Sequence, residues 1–369
     1  MAKSLEQLDE NFAVPATIDG KDLVLYDVKK PPFEIYGLHD PTADGDFRRM
    51  PDDVAASVSE GVRILARHTS GGRVRFATDS PYVAIKAVMP SVGKPSNLSL
   101  PGQSGLDLYV DAPDGSASIF HRAFIPPYGM TNGYESLLPF YESGMHYVTI
   151  DFPLYNPLTA LYIGVKAGSY LGKGAPYRDV APIVYYGSSI TQGGCASRAG
   201  NAYPNMVTRA LGIDHRNFGF SGNAKGERAM AEYLASLEMS AFVCDYDHNA
   251  PTDVLRATHR ALYDTIREKH PTVPYVILSR PDPFRITAGF GDAEQSVTRR
   301  RIILDTFHYA RDKGDKNVSF IDGESIFRGP FEGDCTVDGT HPNDLGFSRM
   351  AEAVTAVLRR CLRDGKIGI

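Results

Sequence analysis

Pro182-Ile183-Val184-Tyr185-Tyr186-Gly187-Ser188-Ser189-Ile190-Thr191-Gln192-Gly193-Gly194 opens as a β-rich apolar run and ends abruptly in glycine and small hydroxyl residues. A parallel-sheet strand that stops this way delivers its last side chains to the carboxyl edge of the sheet, where open α/β folds bind ligands. By itself the run reads equally well as a strand followed by a Ser/Thr-rich turn. Its weight comes from a segment far downstream, Asp338-Gly339-Thr340-His341-Pro342-Asn343. One segment offers a nucleophile; the other offers a base with an acid to orient it.

Around this stretch the period of the chain changes. From Gly168 to Pro182 the sequence is rich in Gly and Pro and reads as a linker. After it, strand-like runs at Ile183–Tyr186, Asn217–Phe220, Ala241–Asp245, Tyr275–Ser279 and Val318–Asp322 alternate with helical ones. The helical candidates are Ala202–Leu211, Gly226–Leu237, Pro251–Lys269, Ala293–Asp312 and Asp344–Leu362. Strands alternating with helices predict βαβ units, right-handed crossovers and a five-stranded parallel sheet covered on both faces. Before the linker the chain reads as mostly β: Val74–Thr78, Tyr82–Val88, Leu106–Asp111, Ser118–Phe124, His146–Phe152 and Ala160–Val165, punctuated by Gly and Pro. That spacing suggests a sandwich or jelly roll. The expected architecture is therefore an N-terminal β-sandwich (jelly-roll-like) domain, residues 1–177, followed by a three-layer α/β/α domain, residues 178–369.

Bulk composition agrees with a globular chain. Of 369 residues, 43% are hydrophobic and 22% charged, a length at which two cores are expected. The net charge of −5 with no basic block argues against nucleic acid or an anionic membrane as partner. The first twelve residues carry no apolar leader run, and a cytoplasmic protein is expected. Four well-separated cysteines (Cys195, Cys244, Cys335, Cys361) fit reduced thiols better than a disulfide scaffold or zinc site. Trp is absent, so any sugar platform must come from Tyr and Phe.

Loops after the first three strands of the α/β half, and before its last helix, each carry a residue with a chemical use. A serine hydroxyl is a weak nucleophile until an imidazole takes its proton, which casts Ser189 as nucleophile and His341 as base. Asp338, three residues earlier in the same turn, can hold that imidazole in one tautomer. The tetrahedral oxyanion then needs fixed donors: the Ser189 N–H, the Gly222 N–H in Asn217-Phe-Gly-Phe-Ser-Gly-Asn223, and the Asn249 amide in Asp245-Tyr-Asp-His-Asn249. Each has a plainer reading: a turn serine, a helix-entry histidine, a turn glycine. The Asp-x-x-His spacing weighs against these when Ser189 and His341 are taken together. Cys195 finds no His or Asp spacing that favours it over Ser189 and reads as a small buried filler.

With these residues in view, the chain resembles an SGNH (GDSL-type) hydrolase over about Ile183 to Leu362. The four blocks of that family correspond to Gly187-Ser-Ser189-Ile190, Gly222, Asn249 and Asp338-Gly-Thr-His341. Gly105-Leu-Asp-Leu-Tyr109 is similar to the Gly-x-Asp-Leu-Tyr signature of a β domain that precedes a subset of SGNH esterases. The resemblance implies hydrolysis of a short-chain, acetyl-type ester of a carbohydrate or small metabolite, with no metal and no cofactor. An acyltransferase using the same three residues, or an inactive carbohydrate-binding protein, stays as an alternative.

Departures from the family pattern are Ser188 where an Asp would precede the nucleophile, and a third block reading Asp247-His248-Asn249-Ala250. Asp247, His248 and Arg198 are candidates for substrate contact. Asp247 and His248 also read as caps for the helix at Pro251–Lys269, and Arg198 as a partner for Glu227. Asp107 and Tyr109 read as structural within the β domain. No Gly-x-Ser-x-Gly elbow, P-loop or His-Glu-x-x-His occurs. The loop Pro281–Gly291 is expected to wall one side of the pocket. Whether the β domain binds sugar, completes the active-site wall or joins copies into a homo-oligomer stays open.

Overall fold

The computed structural model describes residues 18, 22–247, 249–281 and 293–367. In the N-terminal half, β1 (Leu23–Asp27) and β2 (Glu34–Tyr36) lead into two short helices, α1 (Asp52–Val58) and α2 (Glu60–Leu65). Then come β3 (Arg73–Thr78), β4 (Tyr82–Val88), α3 (Leu100–Ser104), β5 (Leu106–Asp111) and β6 (Ser118–Phe124). β7 (Gly133–Pro139), β8 (His146–Asp151), β9 (Ala160–Lys166) and β10 (Leu171–Gly172) complete it. One antiparallel sheet runs β1-β9-β4-β7; the other runs β10-β3-β8-β5-β6, with β2 on β3. Their facing side chains, among them Val74, Phe76, Ile85, Leu106, Leu108, Ile150 and Ile163, form a dry shared core. This is the expected sandwich.

The C-terminal half is a parallel sheet in the order β12-β11-β13-β14-β15. Its strands are β11 (Ile183–Gly187), β12 (His215–Gly219), β13 (Ala241–Asp245), β14 (Tyr275–Leu278) and β15 (Val318–Ile321). Intervening helices are α4 (Ser189–Gln192), α5 (Tyr203–Leu211), α6 (Arg228–Ala235), α7 (Thr252–Lys269), α8 (Ala293–Asp312), α9 (Gly323–Ile326) and α10 (Asp344–Arg363). Alternate residues of β11 feed opposite cores: Val184 and Tyr186 pack with α6 and α7, Ile183 and Tyr185 with α5 and α10. Three layers result, as the alternating periods predicted. Among the described residues no helix is long and apolar enough to cross a membrane.

Three features depart from the sequence reading. α1 and α2 interrupt the β region because Val54, Ala55, Val58, Val62 and Leu65 recur at helical spacing; they pack on the α6 side of the parallel sheet. β7, Gly133-Tyr-Glu-Ser-Leu-Leu-Pro139, lacks the strict alternation that marks a strand. The stretch 168–182 is no free linker: β10 pairs with β3, and Arg178 donates N–H to the Gly212 carbonyl at 2.8 Å.

The outward face of the second sheet is also buried. Arg73, Arg75, Asp107, Asp111, Thr149 and Asp151 are each no more than 5% exposed, because the α/β half covers them. Buried charges persist only when paired. Here Arg73 meets Asp214, Arg75 meets Asp111, Arg198 meets Asp107, and Arg209 meets Asp151. Three of these pairs, all but Arg75–Asp111, join the two halves.

Candidate active site

β11 ends where a side chain no longer fits. A Cβ at Gly187 would lie 2.0 Å from Thr191 Oγ1 and 2.3 Å from the Asp245 carbonyl oxygen. The chain turns there into α4, whose first residue is Ser189 and whose N-cap is Ser188, accepting the Ile190 N–H at 3.1 Å. Capping is therefore what the serine at this position does in place of an aspartate. The sheet order places the reversal of strand order between β11 and β13, the crevice where doubly wound sheets take ligands.

Ser189 Oγ lies 2.9 Å from His341 Nε2, and His341 Nδ1 lies 2.8 Å from Asp338 Oδ2. The Asp338 Oδ1 accepts the backbone N–H of His341 at 2.8 Å and of Thr340 at 3.1 Å. Partial burial works against ionisation of Asp338, but these bonds, a further one from Asn97 and the imidazole outweigh it. The carboxyl is held well below its usual range. A charged Asp338 keeps the proton on Nδ1 and leaves Nε2 free to accept from the serine.

Donors for a developing oxyanion sit on three laced loops. Phe220 N–H donates to the Gly187 carbonyl at 2.9 Å, and Asn249 Nδ2 donates to the Phe220 carbonyl at 2.8 Å, leaving its second amide hydrogen available. Among the described residues, neither the Ser189 N–H nor the Gly222 N–H has an acceptor within the chain. Gly222 has φ +69°, a left-handed conformation that favours glycine, and open space where a Cβ would stand.

The candidates for substrate contact fare differently. Arg198 turns away to the β domain: its guanidinium donates to Asp107 Oδ2 at 2.8 Å and to the Tyr109 hydroxyl, and stacks on Phe120 at 3.7 Å. It therefore joins the two halves, and it does not pair with Glu227, which takes the Lys225 N–H. Asp107 and Tyr109, expected to act within the β domain, reach out of it, and Asp107 also accepts the Gly200 N–H. Asp247 is 2% exposed and accepts the Arg280 N–H at 3.0 Å. It points into the fold and caps no helix, since α7 has Pro251 at its N-cap without a side-chain bond. His248 and residues 282–291 of the expected pocket wall lie outside the described residues.

Two β-domain contributions have no sequence signal. Asn97 donates its amide to Asp338 Oδ2 at 3.1 Å, and the Tyr155 hydroxyl donates to the Ser189 carbonyl at 3.1 Å. Through these two bonds the β domain reaches the site. Cys195 lies beside it, with φ +70° and its thiol donating to the Asn97 carbonyl at 3.2 Å. Burial, aided by the Asp338 charge, pushes that thiol up to about 12, so it stays protonated. Ligand atoms of Cys195, Asp338 and His341 lie within 4.8 Å of one another. The imidazole of this cluster is already hydrogen-bonded to the carboxylate and to Ser189.

The fold and this edge of the sheet define a hydrolase of the three-layer α/β/α class. The chain belongs to the GDSL-like lipase/acylhydrolase family, whose model matches residues 180–359, and is a carboxylic ester hydrolase. The model described as the N-terminus of SGNH-hydrolase-type esterases, GxDLY, matches residues 23–171. A protein of Bacteroides ovatus ATCC 8483 described as a GDSL-like lipase is 31% identical, with TM-score 0.80, over 91% of this chain and 98% of that one. A salicylyl-acyltransferase from a tetracycline biosynthetic pathway is 22% identical with TM-score 0.73, covering 92% and 98%. An acetyl xylan esterase from the rumen bacterium Butyrivibrio proteoclasticus is 14% identical with TM-score 0.54, covering 92% and 98%. The latter two likenesses are of fold. Comparison with curated protein sequences returns no match.

Proposed function

We propose that this chain is a serine esterase that removes a short acyl group, acetyl above all, from a hydroxyl of a carbohydrate or small metabolite. The observation that carries the proposal is the unbroken hydrogen-bonded chain from Ser189 Oγ through His341 to Asp338. Ser189 Oγ attacks the ester carbonyl as its proton passes to His341 Nε2, and Asp338 stabilises the imidazolium. The Ser189 and Gly222 N–H groups and the Asn249 amide hydrogen bond the oxyanion. Collapse breaks the bond to the alcohol, which leaves with the proton from His341. Water then gives its proton to His341, attacks the acyl-serine and releases the acid, restoring Ser189. The carbohydrate side of the proposal draws on the fold shared with the acetyl xylan esterase.

Labelling with a serine-directed phosphonate tests the chemistry: the adduct should map to Ser189 by peptide mass, and Ser189→Ala should abolish both adduct and turnover. An adduct elsewhere, or turnover surviving in Ser189→Ala, would overturn the proposal. Aryl esters of graded acyl length, set against acetylated sugars, test the substrate class. A marked shift of product from acid to new ester on adding alcohols would instead identify an acyltransferase, the fold-mate relationship with the salicylyl enzyme being the reason to look.

A further inference from the structure

We infer that a groove on the β domain beside the nucleophile is the subsite for the alcohol half of the substrate, and that it takes a neutral polyhydroxylated group such as a sugar. The inference rests on the esterase proposal above. The groove encloses about 500 Å³ between Tyr155 and His68 on one side and the 90–95 segment on the other. That volume is in the range of ordinary small-molecule sites and far exceeds an acetyl group.

Each wall of the groove is tied to the catalytic segments by one hydrogen bond. From one wall the Tyr155 hydroxyl reaches the Ser189 carbonyl; a Cβ placed on Gly194 would lie 2.8 Å from that hydroxyl and 3.3 Å from His341 Cδ2. From the other, two residues past Pro95, Asn97 reaches Asp338. A group lying in the groove meets Tyr155, whose hydroxyl bonds the Ser189 carbonyl, so its ester end has to extend past Tyr155 to reach the triad.

The chemistry of the lining selects the ligand. His68 Nδ1 faces the Gln192 amide nitrogen at 3.2 Å, a nitrogen that also donates to the Leu154 carbonyl. His68 must then accept at Nδ1 and carry its proton on Nε2, as a donor. Burial, with the Arg49 charge, pushes its pKa down to about 3, so the ring is a neutral donor at working pH. Tyr155 supplies an aromatic face, the kind of platform a chain without Trp must use. The cations at the rim are already matched: Arg63 pairs with Glu60 at 2.6 Å, and Arg67 with Asp52 at 3.2 Å and Asp46 at 3.9 Å. Lys94, in the facing segment, is turned to the Tyr128 carbonyl and ring, so the arginines offer no unmatched charge to a phosphate or carboxylate, whereas hydroxyl groups and C–H faces find partners.

Steady-state kinetics on the full chain test this with three substrates: 4-nitrophenyl acetate, a neutral acetylated xylo-oligosaccharide and a phosphorylated sugar acetate. The readout is the ratio of kcat/KM for either sugar ester to that for the aryl ester in wild type, His68→Ala and Ile64→Trp. Ile64 is 53% exposed at the groove's rim, so Trp there narrows the mouth without entering the core. We expect the sugar-to-aryl ratio to fall at least tenfold in both variants, through KM for the sugar ester. A ratio unchanged in both, with aryl acetate still turned over, would overturn the groove and leave the esterase proposal standing. Absence of turnover of either ester by wild type would instead defeat the esterase proposal. A ratio that falls only for a phosphorylated sugar acetate would overturn the neutral ligand.

Discussion

Replacing Asp338 with Asn should be more damaging than replacing it with Ala, and the geometry says why. Both carboxylate oxygens accept donors: Oδ1 takes the backbone N–H groups of Thr340 and His341, and Oδ2 takes His341 Nδ1–H and the Asn97 amide. An amide in its place has only one oxygen. The backbone donors cannot change, so the amide oxygen of the Asp338→Asn variant settles on their side and its NH₂ faces His341 Nδ1. That ring must then accept at Nδ1 and place its proton on Nε2, aimed at Ser189 Oγ, where it can no longer act as a base. The expected loss is about 10⁴-fold in kcat, or about 5.5 kcal/mol of transition-state stabilisation. Asp338→Ala removes orientation but frees the tautomer, so its kcat should exceed that of Asp338→Asn. Asn97→Ala removes one exposed donor and should cost no more than about tenfold, with no further loss in the Asp338→Ala background. The assay is kcat on 4-nitrophenyl acetate at about pH 8, where an ordinary imidazole is neutral. An Asp338→Asn enzyme as active as Asp338→Ala, or within about tenfold of wild type, would refute the reasoning.

Asn249→Ala should lower kcat about 10²–10³-fold with little change in KM, measured with the same ester; a near-neutral result would remove Asn249 from the oxyanion site. Arg198→Ala strands the fully buried Asp107, whose carboxyl burial pushes up to about 6 despite its partners, and should destabilise the protein by about 3 kcal/mol. The loss in Tm should be larger at pH 8 than at pH 5, where Asp107 can take a proton, and Asp107→Asn should restore part of it. Asp247, likewise pushed up to about 6 by burial, binds its proton more tightly folded than at the unfolded value of about 3.9. Its contribution is therefore present below about pH 4 and lost as pH rises through about 6. The Tm of Asp247→Asn relative to wild type should climb across that window and level off by about pH 7. Iodoacetamide at pH 7 should leave activity intact, because the Cys195 thiol stays protonated; inactivation with a Cys195 adduct would contradict this.

Most of the α/β half is legible in the sequence. Ala241–Asp245 and Ala293–Asp312 have the bounds read from the sequence, and β4, β5 and β6 do as well. Local period carries this information, since a strand or helix declares its own repeat. The two helices between Asp52 and Leu65 escape that reading because a β-rich context hides a short helical repeat. The buried setting of Asp247 and the interdomain contact of Arg198 escape it for a different reason: loop polarity at a ligand edge is equally consistent with facing a substrate, the interior or another domain.

What the sequence determined by itself was the class of fold and the family, and it singled out Ser189, Asp338 and His341 as candidates. Each depends on local spacing, which survives in one dimension. What only the tertiary structure decided was contact between distant segments. Asn97 lies 241 positions from Asp338, and Tyr155 reaches Ser189 from the other domain. The alternation in β5 likewise puts Leu106 and Leu108 on one face and Asp107 and Tyr109 on the other, but cannot say what covers the second face. Packing answers that, because a polar face is buried only when the opposing surface brings matching charge, as Arg198 does here.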